Sequence, residues 1–477
     1  MNENELTDVQ GERMSERELG DVNFRTSKRR QRRQTLLLFG LVFVVQTLSP
    51  SPQVGDSRLS AITAWQFMTH FNLHLEGYAN VRHLTNRYDL VHHAGHLLPL
   101  YPWPTMLLAA PADLIFALVG HHPQLLSISN PNHTFYLEIP TASLLVAFTA
   151  VFIKNIVLGL PEPWNSRRVA FLSALTFAFA TSAWSIGSRA LWQNTASMFF
   201  LSATILAILH IDRSKRWPWL VGALLSLSYM TRPTNAIIVV MLLAWVAWRK
   251  RERLLAVLGG VVVLAVPFAI VSISQYGELL PPYYQPSRLG ETGPLTFFNA
   301  LAVNMVSPSR GFLIYDPILL LAVIGVVMRI RSGKLRDLDV IMVLAVVAQW
   351  ITVAAYGSVG GATYGPRLML DVVPFLIILS VPALAAFLNA LTGSTPWWRS
   401  GMGLVVGAVL IWGLFINGTG AAFRDGYCWS AYPNTIDSHP SRVWDWSDPQ
   451  FLRPYHDLAD GRSIKSVVAG SCLAPTT

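Results

Sequence analysis

A dozen apolar runs, separated by short basic clusters, constrain this chain more than any motif it carries. The first run is Thr35–Leu48. Others lie near residues 100–120, 138–158, 168–187, 191–211, 217–232, 235–248, 253–273, 311–329, 339–356, 369–391 and 401–418. Runs of this length and number cannot be hidden in one soluble core, and each approaches what is needed to cross a bilayer as a helix. An all-α polytopic membrane protein is therefore expected, with residues 35–418 as its transmembrane domain.

The basic clusters give the expected orientation. Residues 1–34 end in SKRRQRRQ. Further clusters are Arg167–Arg168, Arg213–Lys215–Arg216, Arg249–Arg253, Arg329–Arg336 and Arg399. Lys and Arg are retained on the cytoplasmic side. Every cluster falls on that side if the N-terminus is inside and one run fails to cross. The run at 100–120, with Pro102, Pro104 and Pro111, is the one expected to be broken. This leaves about 11 or 12 spans on the usual span length and puts the 419–477 tail outside. Residues 1–34 read as a disordered basic segment touching anionic lipid.

Only 13% of residues are charged, and the net charge of +9 comes from the clusters between spans, so it implies no nucleic-acid partner. There is no nucleotide-phosphate motif, HExxH or Ser/His/Asp elbow, and no cofactor is expected. The 2 cysteines, Cys428 and Cys472, both lie in the tail. An external tail is exposed to an oxidising compartment, so a disulfide between them is expected.

The polar residues with chemical potential gather at the outer ends of spans. After the first span comes GDSRLSAITAWQFMTHFNLHLEGYANVRHLTNRYDLVHHAGHLLPLY, residues 55–101. Asp56 and Arg58 stand at its entrance, and His92, His93, His96 and Tyr101 near its exit. Leu59, Ile62, Trp65, Met68, Phe71 and Leu75 recur at helical steps, as in a helix lying on a membrane surface. An acid held at the water–lipid boundary before such a helix suits an enzyme of lipid-linked sugars. An ordinary solvated aspartate is the alternative. The three histidines could space a metal, but no cysteine or carboxylate stands at a matching interval. They read as hydrogen-bonding groups, with no metal expected.

Three arginines mark other span ends. Arg232 lies in Thr-Arg-Pro-Thr, where Pro233 splits a long apolar stretch. Arg310, in Ser-Pro-Ser-Arg-Gly, opens the span at 311, where a guanidinium and free backbone N–H groups could meet one phosphate. Arg367 closes YGSVGGATYGPR, a turn with four glycines between 357 and 365 that could fold around a ligand. Asp371 follows Arg367 by one helical turn and is expected on the same face. Arg58 is the expected partner of Asp56.

With these features the chain resembles the GT-C superfamily of integral-membrane glycosyltransferases, nearest the protein O-mannosyltransferase and aminoarabinose-transferase type. The resemblance covers most of residues 35–450. It is carried by GDSRLS, the helix after it, LeuTyrProTrpPro, the ProSerArgGly…TyrAspPro segment and GlyGlyAlaThrTyrGlyProArg. The tail phrase SRVWDWSDPQFLR looks like the end of bacterial members. It implies a GT-C-like bundle in a bacterial inner membrane, with loop 54–99 as a catalytic loop facing outside. It implies an inverting transfer of sugar from a polyprenyl-phosphate donor to a glycan, lipid or protein acceptor, with Asp56 as base. Arg58, His96, Tyr101, Arg232, Arg310, Tyr364, Arg367 and Asp371 are then expected to bind substrate. Two departures stand out: no second acid follows Asp56 directly, and the second external turn reads SRALWQN without an aspartate. Rival readings are a transporter or flippase of lipid-linked sugars, which internal repeats and mid-membrane charges would favour, and a non-catalytic assembly partner.

Overall fold

The computed structural model describes residues 16–53, 55–78, 81, 89–120, 131–285, 293–393, 401–470 and 472. These residues form a helical bundle and, among them, one two-stranded sheet. In order, the elements are α1 (Glu16–Leu48), α2 (Ser60–His70), β1 (Leu90–His93), β2 (His96–Pro99), α3 (Trp103–Met106), α4 (Ala110–Leu118), α5 (Pro131–Leu158) and α6 (Arg167–Phe179). Then come α7 (Gln193–Ile208), α8 (Arg216–Thr231), α9 (Ala236–Arg249), α10 (Leu254–Tyr276), α11 (Phe297–Val306), α12 (Phe312–Tyr315), α13 (Ile318–Arg331) and α14 (Asp337–Ala355). The chain closes with α15 (Val373–Thr392), α16 (Gly401–Ala422) and three short tail helices, α17 (Arg424–Cys428), α18 (Arg453–Ala459) and α19 (Ile464–Ala469).

Among the described residues, five stretches are long and apolar enough to cross a membrane: Leu137–Leu158, Arg251–Tyr276, Asp337–Ala355, Arg367–Thr392 and Gly401–Ala422. The remaining apolar helices are shorter, because turns and prolines divide the runs. The 100–120 run is broken as expected, into α3, a 3-10 turn at Leu107–Ala109, and α4. Helix α1 runs back through the basic cluster to Glu16, so residues 16–34 are helical where disorder was expected. Residues 1–15 lie outside the described part.

Helix α15 is the centre of the bundle, buried continuously from Val373 to Ala385. Its sequence carries a built-in defect. Pro382 has no N–H for the carbonyl four residues back, that of Ile378. Arg329 of α13 supplies the donors, giving hydrogen bonds of 2.7 Å to the Ile378 carbonyl and 2.6 Å to that of Leu379. Asp339 of α14 lies 3.6 Å from the same guanidinium and balances its charge. A backbone carbonyl freed inside a membrane bundle needs such a donor, since no water reaches it. Gly325 lets α13 come this close: a Cβ there would sit 2.0 Å from the Leu379 oxygen.

The long loops meet at one end of the bundle. The segment leaving α1 is pinned there, with Ser51 N–H donating to Ala421 O and Gln53 N–H to Arg189 O. Arg189 is fully buried and donates to the Ser49 and Gln46 carbonyls at the end of α1. It closes a helix terminus and does not face a ligand. The expected surface helix is shorter than its apolar pattern. α2 stops at Phe71, which caps it in a left-handed conformation at φ 55°. Leu59, Ile62 and Leu75 pack with Tyr78, Val81 and Met106 as protein core. Half of the stripe thus covers the protein's own loop rather than lipid.

Candidate active site

Asp56 lies in the tight turn between the pinned segment and α2, where Arg58 N–H donates to Gly55 O. Gly55 is required by its neighbour: a Cβ would meet the ring of buried Trp192 at 2.7 Å. Asp56 keeps 24% of its side chain exposed. Its Oδ2 accepts a 3.0 Å hydrogen bond from Arg367. The Arg367 guanidinium lies 4.4 Å above the Trp192 ring, which holds it flat and limits its motion. So the first-loop acid and the glycine-turn arginine, 311 residues apart in the chain, form one pair.

The expected partner of Asp56 goes elsewhere. Arg58 forms its ion pair with Asp89, Nε to Oδ2 at 3.0 Å. Asp89 is nearly buried, and burial pushes its carboxyl up to about 6; nearby Asp56 adds to the rise and Arg58 opposes it. This is a second acid beside Asp56. The sequence hides it because it lies 33 positions downstream, just before β1. Leu100 N–H donates to its carbonyl, so the hairpin β1–β2 carries it. Glu138 of α5 is a third buried acid next to the same loop, with Leu191 N–H 3.5 Å from its Oε2 and Ser57 as a further neighbour.

Tyr101 follows the hairpin and meets Tyr283 edge to face at 5.3 Å. Both phenols are raised, first by burial and then by the charge of Asp56. They stay protonated and offer O–H donors near the Asp56 carboxylate. Behind them, Tyr284 packs on Tyr229, and its hydroxyl donates to the Met230 carbonyl. There an apolar groove of about 420 Å³ begins, lined by Tyr229, Met230, Leu243, Val262, Phe268 and Leu280 among others from α8, α9 and α10.

Arg232 and Asp371 form a second pair, Nε to Oδ2 at 2.8 Å, with both side chains almost wholly buried. Asn194 and Gln349 also donate to that Oδ2, at 3.0 and 3.2 Å. Asp371 therefore does not face Arg367 as the helical spacing suggested. Residues Arg367–Val372 form a 3-10 helix, whose tighter winding of about three residues per turn sets the two side chains on different faces.

Arg310 departs furthest from expectation. It is 2% exposed. Its guanidinium makes five hydrogen bonds: to Val359 O, Ser309 O, Gly361 O, Gln450 Oε1 and Ser430 Oγ. No donor remains for a phosphate. All four glycines of the turn, Gly357, Gly360, Gly361 and Gly365, have φ between 59° and 84°, the left-handed region that glycine enters freely. Arg310 ties the turn's Val359 and Gly361 carbonyls down from inside. Gln450, in the tail phrase, accepts from Arg310 and from Gly365 N–H and donates to Thr363 O and Gly426 O. Sequence reading passed over Gln450, since an isolated glutamine in a polar tail carries no local signal.

Tyr364 is also structural: it is fully buried, and its hydroxyl donates to Ile416 O at 2.7 Å. The tail is joined by the Cys428–Cys472 disulfide, with Cα atoms 5.1 Å apart, as the two cysteines suggested. His96 bonds Glu76 at 2.6 Å rather than any of Asp56's partners. The structure thus brings Asp56, Tyr101 and Arg367 together, with the Arg58–Asp89 pair beside them, and it ties Arg232 to Asp371, Arg310 to the glycine turn, Tyr364 to Ile416 and His96 to Glu76.

No family model and no curated protein matches this chain. Among solved structures it is similar to crystal structures of ArnT from Cupriavidus metallidurans. The apo form gives a TM-score of 0.47 at 14% identity, and the form bound to undecaprenyl phosphate 0.48 at 15%. Each match covers 87% of this chain and 75% of that one.

Proposed function

We propose that the chain is a membrane glycosyltransferase that moves a sugar from a polyprenyl-phosphate carrier onto a hydroxyl acceptor. The observation that carries this reading is the Asp56–Arg367 pair, partly open, beside two phenols and the mouth of an apolar groove. A lipid-phosphate donor needs that combination: an apolar channel for the isoprenoid tail, a cation for the phosphate and a carboxylate for the incoming hydroxyl.

Asp56 accepts the proton of the acceptor hydroxyl as its oxygen attacks the anomeric carbon from the face opposite the phosphate. The bond from that carbon to the phosphate oxygen breaks, and polyprenyl phosphate leaves with the electron pair. Configuration inverts because one displacement occurs. Negative charge grows on the phosphate as the bond lengthens, and Arg367 is the cation placed to stabilise it. Trp192 beneath the guanidinium keeps it from following the leaving group. Tyr101 and Tyr283 donate hydrogen bonds to the sugar, and the Arg58–Asp89 pair holds the loop against the hairpin. The site faces outside if the basic loops lie in the cytoplasm.

The direct test is Asp56→Asn, which keeps the shape and removes the base. Transfer from a polyprenyl-phosphate sugar should fall by at least about 10³-fold, within the range that loss of a general base produces, while the purified protein still binds donor. Wild-type transfer rates in the variant would rule the assignment out.

A further inference from the structure

The hairpin that carries Asp89 and leads to Tyr101 also carries a cluster of His74, Glu76 and His96. His74 lies in the irregular segment after α2, and Glu76 begins the turn that follows it. Leu75 between them is fully buried, and its N–H donates to Leu97 O at 2.8 Å. With Leu75 turned into the core, His74 and Glu76 on either side of it stay half-buried and both lie against His96. His96 begins β2, directly after a two-residue turn in which Ala94 and Gly95 both have positive φ, 48° and 86°. That turn brings the His96 ring over the His74 ring, nearly parallel with centroids 3.6 Å apart. Glu76 holds His96 Nδ1 at 2.6 Å through Oε1, while its Oε2 accepts from Leu97 N–H at 3.1 Å.

We propose that His74, Glu76 and His96 bind a divalent transition-metal ion of the zinc class, which clamps the end of α2 to the β1–β2 hairpin. One ligand atom from each lies within 4.8 Å of the others. Zinc bonds of about 2.0–2.1 Å at tetrahedral angles set neighbouring ligand atoms about 3.3 Å apart. The ion takes the place of the proton between Glu76 and His96, and the stacked rings open by roughly an ångström to admit it. The set is two imidazoles and one carboxylate, a donor mixture zinc accepts, with water in the fourth position. Leu97 N–H fixes the second Glu76 oxygen, as outer partners of metal-bound carboxylates do. His92 and His93 are exposed and not in the set; His93 rests against Gly277 at the end of α10. The carboxylate missing from the histidine spacing is thus Glu76, 20 residues upstream of His96, which revises the expectation of no metal. The role is structural: the ion would hold the hairpin whose ends present Asp89 and Tyr101, whatever reaction the cleft performs.

The full-length protein in detergent, stripped with EDTA and reloaded with Zn²⁺, should retain one zinc per chain by mass spectrometry, and its melting temperature should rise on loading. Glu76→Gln and His96→Ala should each bind zinc at least about tenfold more weakly and lose the thermal response. The double variant His92→Ala, His93→Ala should behave as wild type. If His96→Ala does not fold, Glu76→Gln carries the test, since it keeps size and a hydrogen-bonding oxygen. Zinc retained by wild type no more than by Glu76→Gln, or lost with His92 and His93 instead, would overturn the site. None of these readouts needs sugar transfer, so they stand apart from the reaction proposed above.

Discussion

Arg367 and Arg310 occupy equivalent positions in the chain: each ends a loop and precedes a helix after a proline- or glycine-rich turn. Their surroundings are opposite. Arg367 stacks on Trp192 and bonds a single carboxylate that is 24% exposed. Arg310 spends its guanidinium on three backbone carbonyls and two side chains. A buried arginine cannot be recruited to a ligand without orphaning its acceptors, and each orphaned group costs about 1–3 kcal/mol. The lesson is that a cation at a span end is a site only if its donors are left over. Arg310 still serves the cleft, by locking the glycine turn that presents Arg367.

The sharpest way to break this contrast is to remove each arginine. Arg310→Ala should destabilise the protein by at least about 3 kcal/mol, through the buried carbonyls it leaves unpaired; the amount of folded protein in detergent on heating reads this. Arg367→Ala should change stability by about 1 kcal/mol or less, as partly exposed pairs do, yet lower transfer about 10²–10³-fold. Equal stability losses in the two variants would dissolve the distinction.

Asp89 sharpens the comparison on the cleft side. Its carboxyl is pushed up to about 6, above the unfolded value near 4. Protonation therefore favours the folded state: this group's contribution to stability falls as pH rises from about 4 to about 6, then stays level. Below about 6 it also gives up its charge and Arg58 loses its partner. Transfer should then decline on acidification through that range, and Asp89→Asn should flatten both the acid limb of the rate profile and the stability slope. An unchanged acid limb in Asp89→Asn would remove Asp89 from the site.

The smallest effect is expected at Tyr364, on the buttress side. Tyr364→Phe removes the hydroxyl bonded to Ile416 O and should cost about 1–2 kcal/mol of stability, with the specific transfer rate of the folded protein unchanged. A specific rate reduced tenfold or more would place Tyr364 in the cleft after all.

Much of this was legible without a structure. Apolar runs and basic clusters are long, local patterns, and they determined a helical membrane bundle, though not the β1–β2 hairpin within it. Pro102, Pro104 and Pro111 marked the broken segment, because a ring without an N–H interrupts a helix wherever it stands. Asp56 was marked by its place after the first span, and Gly357, Gly360, Gly361 and Gly365 by the φ values they permit. Pairing was different. Arg58 sits two residues from Asp56 but bonds Asp89, Arg367 sits four from Asp371 but bonds Asp56, and Asp371 itself takes Arg232. The same holds for Glu76 and His96, and for Gln450 beneath the glycine turn. A charged side chain reaches several ångströms and takes whichever partner packing brings within that radius. The sequence by itself determined which groups stand at the loop end; only the folded bundle, by burying some of their donors and leaving others open, decided which of them can act.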